Sequence, residues 1–548
     1  MLNKKRGADL LVECLINQEV RKVFGVPGES FLGFLDAIHE NKKIKWIGNR
    51  NEGGASFMAG AYAQLTGKPG ICFVTRAPGA TNASIGIQSA MQGSVPLILF
   101  VGQIHSNFIG REGFQEINYK NFFADIAKDV FEINNVDRIP EIIGRSFKTA
   151  LSGRKGPVIV SLPEEIFIHK SYVKPTNKII IGNSYPSPKN IKDTVENIKK
   201  SKNPLLIVGG SGWTSEGIKD LKSFVEKNNL PIISSFRRQD VFDNHSICYC
   251  GVAGNAKLPY IKDLMHNSDL IFAINTSISD ILTDGYSIWK FPHPDQILIQ
   301  STPSDSNIGN VYQPDFPIIS DPNNLFEELS KKEKIGDWKK ITIPQRNNFL
   351  KSVKLKNQSV DVDMNKILLF LQKKLPEDVI ICNGAGNFSL WNNNFFMYSE
   401  KARLIAPTSG SMGFGLPASI IAKLVYPKKT VVCFTGDGDF QMNLSELGSA
   451  LQNNIFPIIL IINNGSYGTI RMHQEKMFSK RISGTNIKNP DFVNIAKSYG
   501  FYSARIHKTN EFYEVFEKVL KSNKGAIIDI ITSISNITPN KNISEIKN

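Results

Sequence analysis

The sequence predicts an α/β protein of three doubly wound parallel-sheet domains, and three observations carry that expectation. Short apolar runs rich in Val, Ile and Leu alternate with helical patterns along the chain, as in βαβ units whose sheets are covered on both faces. Two polar, proline-bearing stretches, around residues 170–203 and 330–362, interrupt the series and read as linkers. Length agrees, since at ~100–200 residues per domain a chain of 548 residues holds three or four cores.

The expected domains are residues 1–170, 190–330 and 361–535. In the first, KVFGV (22–26), ICFVT (71–75), LILFVG (97–102) and VIVSL (158–162) read as strands, with ADLLVECLINQ and EGGASFMAGAYAQLTG as helices between them. In the second, the strands are LLIVGG (205–210) and LIFAI (270–274). In the third they are VIICN (379–383), TVVCF (430–434), IILIIN (458–463) and AIIDII (526–531), with LSELGSALQNN as a helix. The polar tail ISNITPNKNISEIKN is expected to fray.

Composition excludes several classes. The formal charge is +15, yet Lys and Arg are scattered without aromatic interleaving or a basic helix. That pattern reads as solvated surface and not as a nucleic-acid face. The six cysteines are few for the length and four sit in apolar runs, which suits buried thiols in a reducing cytoplasm. The apolar segment after Lys4–Arg6 is broken by Glu13 and lacks a small-residue cleavage pattern, so no signal peptide is expected. Runs such as IFPIILII fall short of the ~20 residues of a spanning helix. A cytoplasmic protein with no membrane partner is the expectation.

The chemistry concentrates in the third domain. The strand TVVCF ends in TGDGDF, and the next strand, IILII, ends in NNGSYG. This spacing puts Asp437 and Asn464 together at the carboxyl edge of a parallel sheet, where open α/β sheets bind ligands. Gly436 and Gly438 would let the backbone approach a phosphate, and the following helix would offer its amino end. A carboxylate, an amide oxygen and a backbone carbonyl are hard oxygen ligands suited to magnesium that also holds a diphosphate. The plainer alternatives are Asp439 as a helix cap and Asn464 as a turn residue.

GDGD followed at this interval by NN resembles the signature of thiamine diphosphate-dependent enzymes. The chain as a whole resembles the superfamily of acetolactate synthase and benzoylformate decarboxylase. The likeness runs through VFGVPGES (23–30), RNEGGASFMAGAYAQLTGKPG (50–70), VTRAPGATN (74–82), GREGFQE (110–116) and APTSGSMGFGLPAS (406–419). It implies that Asp437, Asn464 and the Ser466 carbonyl bind magnesium, with Gly438, Asp439 and Tyr467 near the diphosphate. Asn387 and Phe388, in NGAGNF, would contact the phosphates. The Gly410 carbonyl would hold the aminopyrimidine, and Met412 would be the wedge that bends the cofactor. Glu52 would hydrogen-bond the aminopyrimidine N1′, with Gly53, Gly54 and Ala55 making room for the flat ring. Because Glu52 and the metal ligands lie in different domains, the resemblance implies a homodimer or homotetramer with active sites at the subunit interface.

The implied reaction is decarboxylation of a small 2-oxo acid such as pyruvate, with carboligation to a second carbonyl. Simple decarboxylation, or cofactor binding without catalysis, are the alternatives. Phe114, Gln115 and Glu116 fit the synthase pattern around the second reactant, which makes Gln115 a candidate catalytic residue. His473 stands where that pattern has a tryptophan, and Asn51 replaces the usual histidine. His473 reads either as a proton donor or as an ordinary helix residue, and Arg471 either as a carboxylate clamp or as surface charge. FAD, which acetolactate synthases hold in the central domain, is possible but unsupported. Ser277 stands in place of an arginine there, ILIQSTPSD lacks an acidic strand end, and VGGSGW has too few glycines for a dinucleotide fingerprint.

Overall fold

The computed structural model describes residues 4–522 and 524–546. The first of three six-stranded parallel sheets runs in spatial order Lys45–Gly48, Lys22–Gly25, Gly70–Thr75, Leu97–Gln103, Pro157–Pro163, Asp129–Glu132. The last sheet runs Arg403–Ile405, Ile380–Asn383, Val431–Gly436, Ile458–Asn463, Ala526–Ile531, Tyr502–Ile506. Numbered by chain order within each domain, both read 2-1-3-4-6-5. The central sheet, from Tyr249–Ala253 through Pro204–Val208 to Phe316–Ile319, reads 3-2-1-4-5-6, the order of a dinucleotide fold.

The strands legible in the sequence are the buried central ones. Those it did not reveal, such as Lys45–Gly48, Asp129–Glu132 and Tyr502–Ile506, are short or lie towards sheet edges, where half-exposed polar positions dilute the apolar run.

Two expectations are corrected. Both stretches read as linkers carry helices: Pro188–Lys200 opens with a Ser187–Asn190 capping box, and Lys339–Ser352 packs on Tyr249–Ala253, an edge strand of the central sheet. Trp338 and Phe349 are buried in the central core, so the second of these helices is part of that domain despite Pro344. The tail expected to fray folds back as far as residue 546. Ile537 is buried, and Asn365 donates to the Pro539 carbonyl at 3.0 Å; the last two residues of the tail lie outside the described part.

The two outer domains share one apolar cluster. Helix Glu52–Thr66 lies along helix Gly415–Val425, with Phe57 edge-on to Phe414 at 5.4 Å. The central domain docks on the C-terminal one through buried polar contacts, among them the Leu404 amide donating to Asp240 at 3.1 Å. Among the described residues no helix is long and apolar enough to cross a membrane.

Candidate active site

In the C-terminal sheet the first and third strands, Ile380–Asn383 and Val431–Gly436, are neighbours, and the chain leaves them in opposite directions. A cavity of about 650 Å³ opens at their carboxyl ends, lined by Asp437, Asn464, Ser466, Gly410 and Met412 among others. Parallel sheets bind ligands at such a switch point because the diverging connections leave a crevice.

Asp437 begins the short helix Asp437–Gln441 and is only 2% exposed. Burial pushes its carboxyl up from the usual range, opposed by a 2.6 Å bond from Asn489 Nδ2. Asn489 also donates to Asn463 Oδ1 at 2.9 Å. Of the two consecutive asparagines, Asn463 is thus turned into the protein, where it donates to Asp529 at 2.9 Å, while Asn464 lines the cavity. Asn464 Oδ1 accepts from the Ser466 amide at 3.0 Å, and Ser466 Oγ donates to the Thr485 carbonyl at 2.8 Å. Sequence reasoning missed Asn489, which lies in a loop beyond the helix Gly468–Met477 and in no recognisable motif.

The structure shows which protein groups lie against these glycines. A Cβ at Gly436 would lie 2.8 Å from the Phe388 ring, and one at Gly438 would lie 2.7 Å from the Tyr467 ring. Both glycines therefore make room for aromatic rings that line the cavity. The following helix spans only Asp437–Gln441, too short for a substantial dipole. Asp439 is no simple cap either. Its carboxylate accepts from the amides of Ala385 at 3.0 Å and Gly413 at 2.8 Å and from Thr435 Oγ1 at 2.6 Å, tying three cavity segments to one buried anion. A Cβ at Gly384 would lie 1.8 Å from that carboxylate. Asn387 accepts from Thr469 Oγ1 at 3.0 Å and donates to the Ile537 carbonyl at 3.3 Å. Gly410 has φ +70°, which lets its loop turn inward beside Met412.

From the central domain, Arg237 reaches into this site. It is buried, donates to the Pro407 and Gly384 carbonyls, and has its guanidinium pushed down to about 10 by desolvation, opposed by Asp439.

The remaining candidates divide. Glu52 opens helix Glu52–Thr66, half-buried, and accepts from Asn82 Nδ2 at 2.9 Å, which joins the RNEGG and PGATN segments. It does not line the 650 Å³ cavity of its own chain, and neither does Gln115, which sits at φ +66° beside Phe114, itself 77% exposed. Gly54 makes room for no ring here: a Cβ would lie 2.3 Å from Glu446 Oε1. His473 is exposed on helix Gly468–Met477 at the cavity wall. Arg471 pairs with the buried Glu475 one turn on, at 3.1 Å, and lies outside the cavity lining.

Comparison with known proteins completes the picture. The chain matches the thiamine pyrophosphate enzyme family in three parts: the N-terminal TPP binding domain over residues 5–122, the central domain over 191–329 and the C-terminal TPP binding domain over 384–530. It is similar to the acetolactate synthase large subunit of Buchnera aphidicola subsp. Schizaphis graminum (strain Sg), 33% identical over 94% of this chain and 92% of that one. The chain belongs to the thiamine pyrophosphate enzymes. Within that family it is also similar to two Escherichia coli (strain K12) large subunits. Acetolactate synthase isozyme 3 is 29% identical over 96% of this chain and 94% of that one, and isozyme 2 is 26% identical over 97% of each.

Thiamine pyrophosphate is the family's cofactor, and the residues present fit it. The cavity combines two buried carboxylates, Asp437 and Asp439, with neutral oxygen donors, a hard set for a small divalent cation. Among the described residues no three His, Cys, Asp or Glu cluster, so such a cation would draw on those neutral oxygens too. The central sheet's own switch point opens on a cleft of about 240 Å³ beside Gly210, Ser211 and Ser277, below the ~300–1,000 Å³ of sites that enclose a drug-sized ligand. Ser277 Oγ there accepts from Asn307, and Arg238 is turned back onto the Gly210 carbonyl.

Proposed function

We propose that the protein is an active thiamine diphosphate- and magnesium-dependent enzyme that decarboxylates a small 2-oxo acid such as pyruvate and joins the product to a second carbonyl, as an acetolactate synthase does. The observation that carries this reading is the buried Asp437 at the switch-point cavity, facing Asn464 and Ser466, in a chain similar to acetolactate synthase large subunits over nearly its whole length.

Asp437, Asn464 and the Ser466 carbonyl would hold magnesium, and Gly438, Tyr467, Asn387 and Phe388 would flank the diphosphate. Asp439 sets the positions of the Ala385 and Gly413 amides around it. Gly410 and Met412 would seat the aminopyrimidine, and Glu52 would share a proton with its N1′. When bound, the cofactor supplies a nucleophilic carbon and an electron sink for decarboxylation.

Glu52 stands outside its own chain's cavity, which supports a homo-oligomer, dimeric or tetrameric, in which each cavity receives the partner's Glu52 and Gln115. A cytoplasmic location accords with six buried free thiols. His473 on the cavity wall supports a second reading, protonation of the bound two-carbon unit and release of an aldehyde. Product analysis with pyruvate, magnesium and thiamine diphosphate separates the two: acetolactate supports the synthase and acetaldehyde the decarboxylase. No turnover of any 2-oxo acid despite stoichiometric cofactor binding would overturn both.

A further inference from the structure

The helix pattern LSELGSALQNN places a carboxylate where burial is complete. Glu446, at the end of the turn Leu444–Glu446, is 0% exposed. Its Oε1 accepts from the Arg50 amide at 3.1 Å and the Asn51 amide at 3.0 Å. Its Oε2 accepts from Asn49 Nδ2 at 2.9 Å and Ser449 Oγ at 2.6 Å. All four partners are donors, so the group is held as an anion; burial pushes its carboxyl up and these bonds oppose that shift.

Three of the four donors belong to the three residues immediately before Glu52. The same turn is held from either side. Asn49 Oδ1 accepts from the Gly25 amide at 3.2 Å, and the Arg50 guanidinium donates to Gln452 at 2.8 Å and the Gly448 carbonyl at 3.3 Å. Gly54, two residues after Glu52, lacks the Cβ that would strike Glu446 Oε1. A buried carboxylate is costly to keep, and here every bond it makes outside its own helix goes to the segment that delivers Glu52.

We propose that Glu446 is the positioning residue for Glu52: the C-terminal domain fixes, through one buried carboxylate, the backbone from which the N-terminal domain presents its proton-sharing group. The proposal rests on the reading of Glu52 as that group. Glu446 lies outside the cavity lining. Its effect therefore belongs in turnover and not in cofactor affinity.

The test uses the full-length protein with Glu446→Ala, Glu446→Gln, Glu52→Gln and the double variant Glu446→Ala/Glu52→Gln. Glu446→Ala should lower kcat ~30–100-fold, the scale of a misplaced catalytic group, while cofactor affinity and KM stay within about threefold. Glu446→Gln keeps an Oε1 for both amides and should recover the rate to within ~10-fold of the parent. In the Glu52→Gln background, Glu446→Ala should add less than about twofold, because it acts through Glu52. Exchange of the thiamine C2 proton should slow in step with kcat. In the cofactor-free protein, amide hydrogen exchange at Arg50 and Asn51 should quicken in Glu446→Ala, and less so in Glu446→Gln.

Loss of cofactor affinity in place of kcat, or a full additional loss in the double variant, overturns the proposal. Where Glu446→Ala does not fold, an unchanged rate and unchanged amide exchange in Glu446→Gln overturn it. Full activity in Glu52→Gln removes the reading of Glu52 and the proposal with it, whereas amide exchange still reports whether the clamp exists.

Discussion

The N- and C-terminal domains carry the same sheet, six parallel strands in the order 2-1-3-4-6-5, and use it differently. In the C-terminal domain the gap between strands 1 and 3 is the cavity, and Asp437 stands at the end of strand 3. In the N-terminal domain the same gap is filled. Ser30 and Thr75 share a hydrogen bond of 2.6 Å across it, and Arg76 at the end of strand 3 pairs with Glu164 at 2.9 Å. The candidate proton-sharing residue has moved to the connection after strand 2, where Glu52 opens a helix. On the proposed reading, one topology would serve a ligand-holding role at its switch point and a proton-handling role at a helix start, and the two would be told apart by whether the switch point is hollow.

The strongest test of that comparison is Asp437→Ala. Losing one partner of a buried charge pair costs ~3 kcal/mol or more, so cofactor affinity, measured by titration in the presence of magnesium, should fall at least ~100-fold. Glu52→Gln should spare affinity and slow turnover ~100-fold, read as initial rate at saturating cofactor. Equal loss of affinity in both variants would erase the distinction between the two domains.

Two glycines sharpen it further. Gly384→Ala would drive a Cβ to 1.8 Å from Asp439, and Gly70→Ala would drive one to 2.0 Å from the Ala59 carbonyl. Each overpacked variant should lose ~1–3 kcal/mol of stability in denaturant unfolding. Gly384→Ala alone should also weaken cofactor binding, because Gly70 lies at the amino edge of its sheet, away from any ligand-binding end. The smallest effect concerns the scaffold the domains share. Cys72 and Cys433 occupy the same position of strand 3 in the two sheets, and burial raises both thiols. All six cysteines are buried, Cys14 pushed up to about 11 and Cys248 to about 12. A thiol reagent should find none of them in the native protein and all six after denaturation.

The sequence made the central strands and the motifs at the cavity's edge legible because both are local. A buried parallel strand is a short apolar run, and GDGD and NN each end one. What stayed hidden depends on distant partners. Asn489 completes the Asp437 environment from a loop. Glu446 reads as one charge in a helix until the backbone of Arg50 and Asn51 is seen against it. The glycines could be singled out in the sequence, but not their protein neighbours. The spacing required a missing side chain, and only the fold shows that Phe388, Tyr467 and Glu446 fill the space. The helix Lys339–Ser352 was masked by Pro344 and by a polar face that dilutes Trp338 and Phe349.

The apolar cluster common to the outer domains has a consequence for how the polypeptide is made. Phe57 and Phe414 meet in it, so the N-terminal helix must wait for its partner through 356 intervening residues of synthesis, roughly 20–70 s at ribosomal rates of ~5–20 residues per second. During that interval the greasy face of the helix Glu52–Thr66 lacks this cover. A chaperone holding the nascent chain there should let go as the helix Gly415–Val425 emerges.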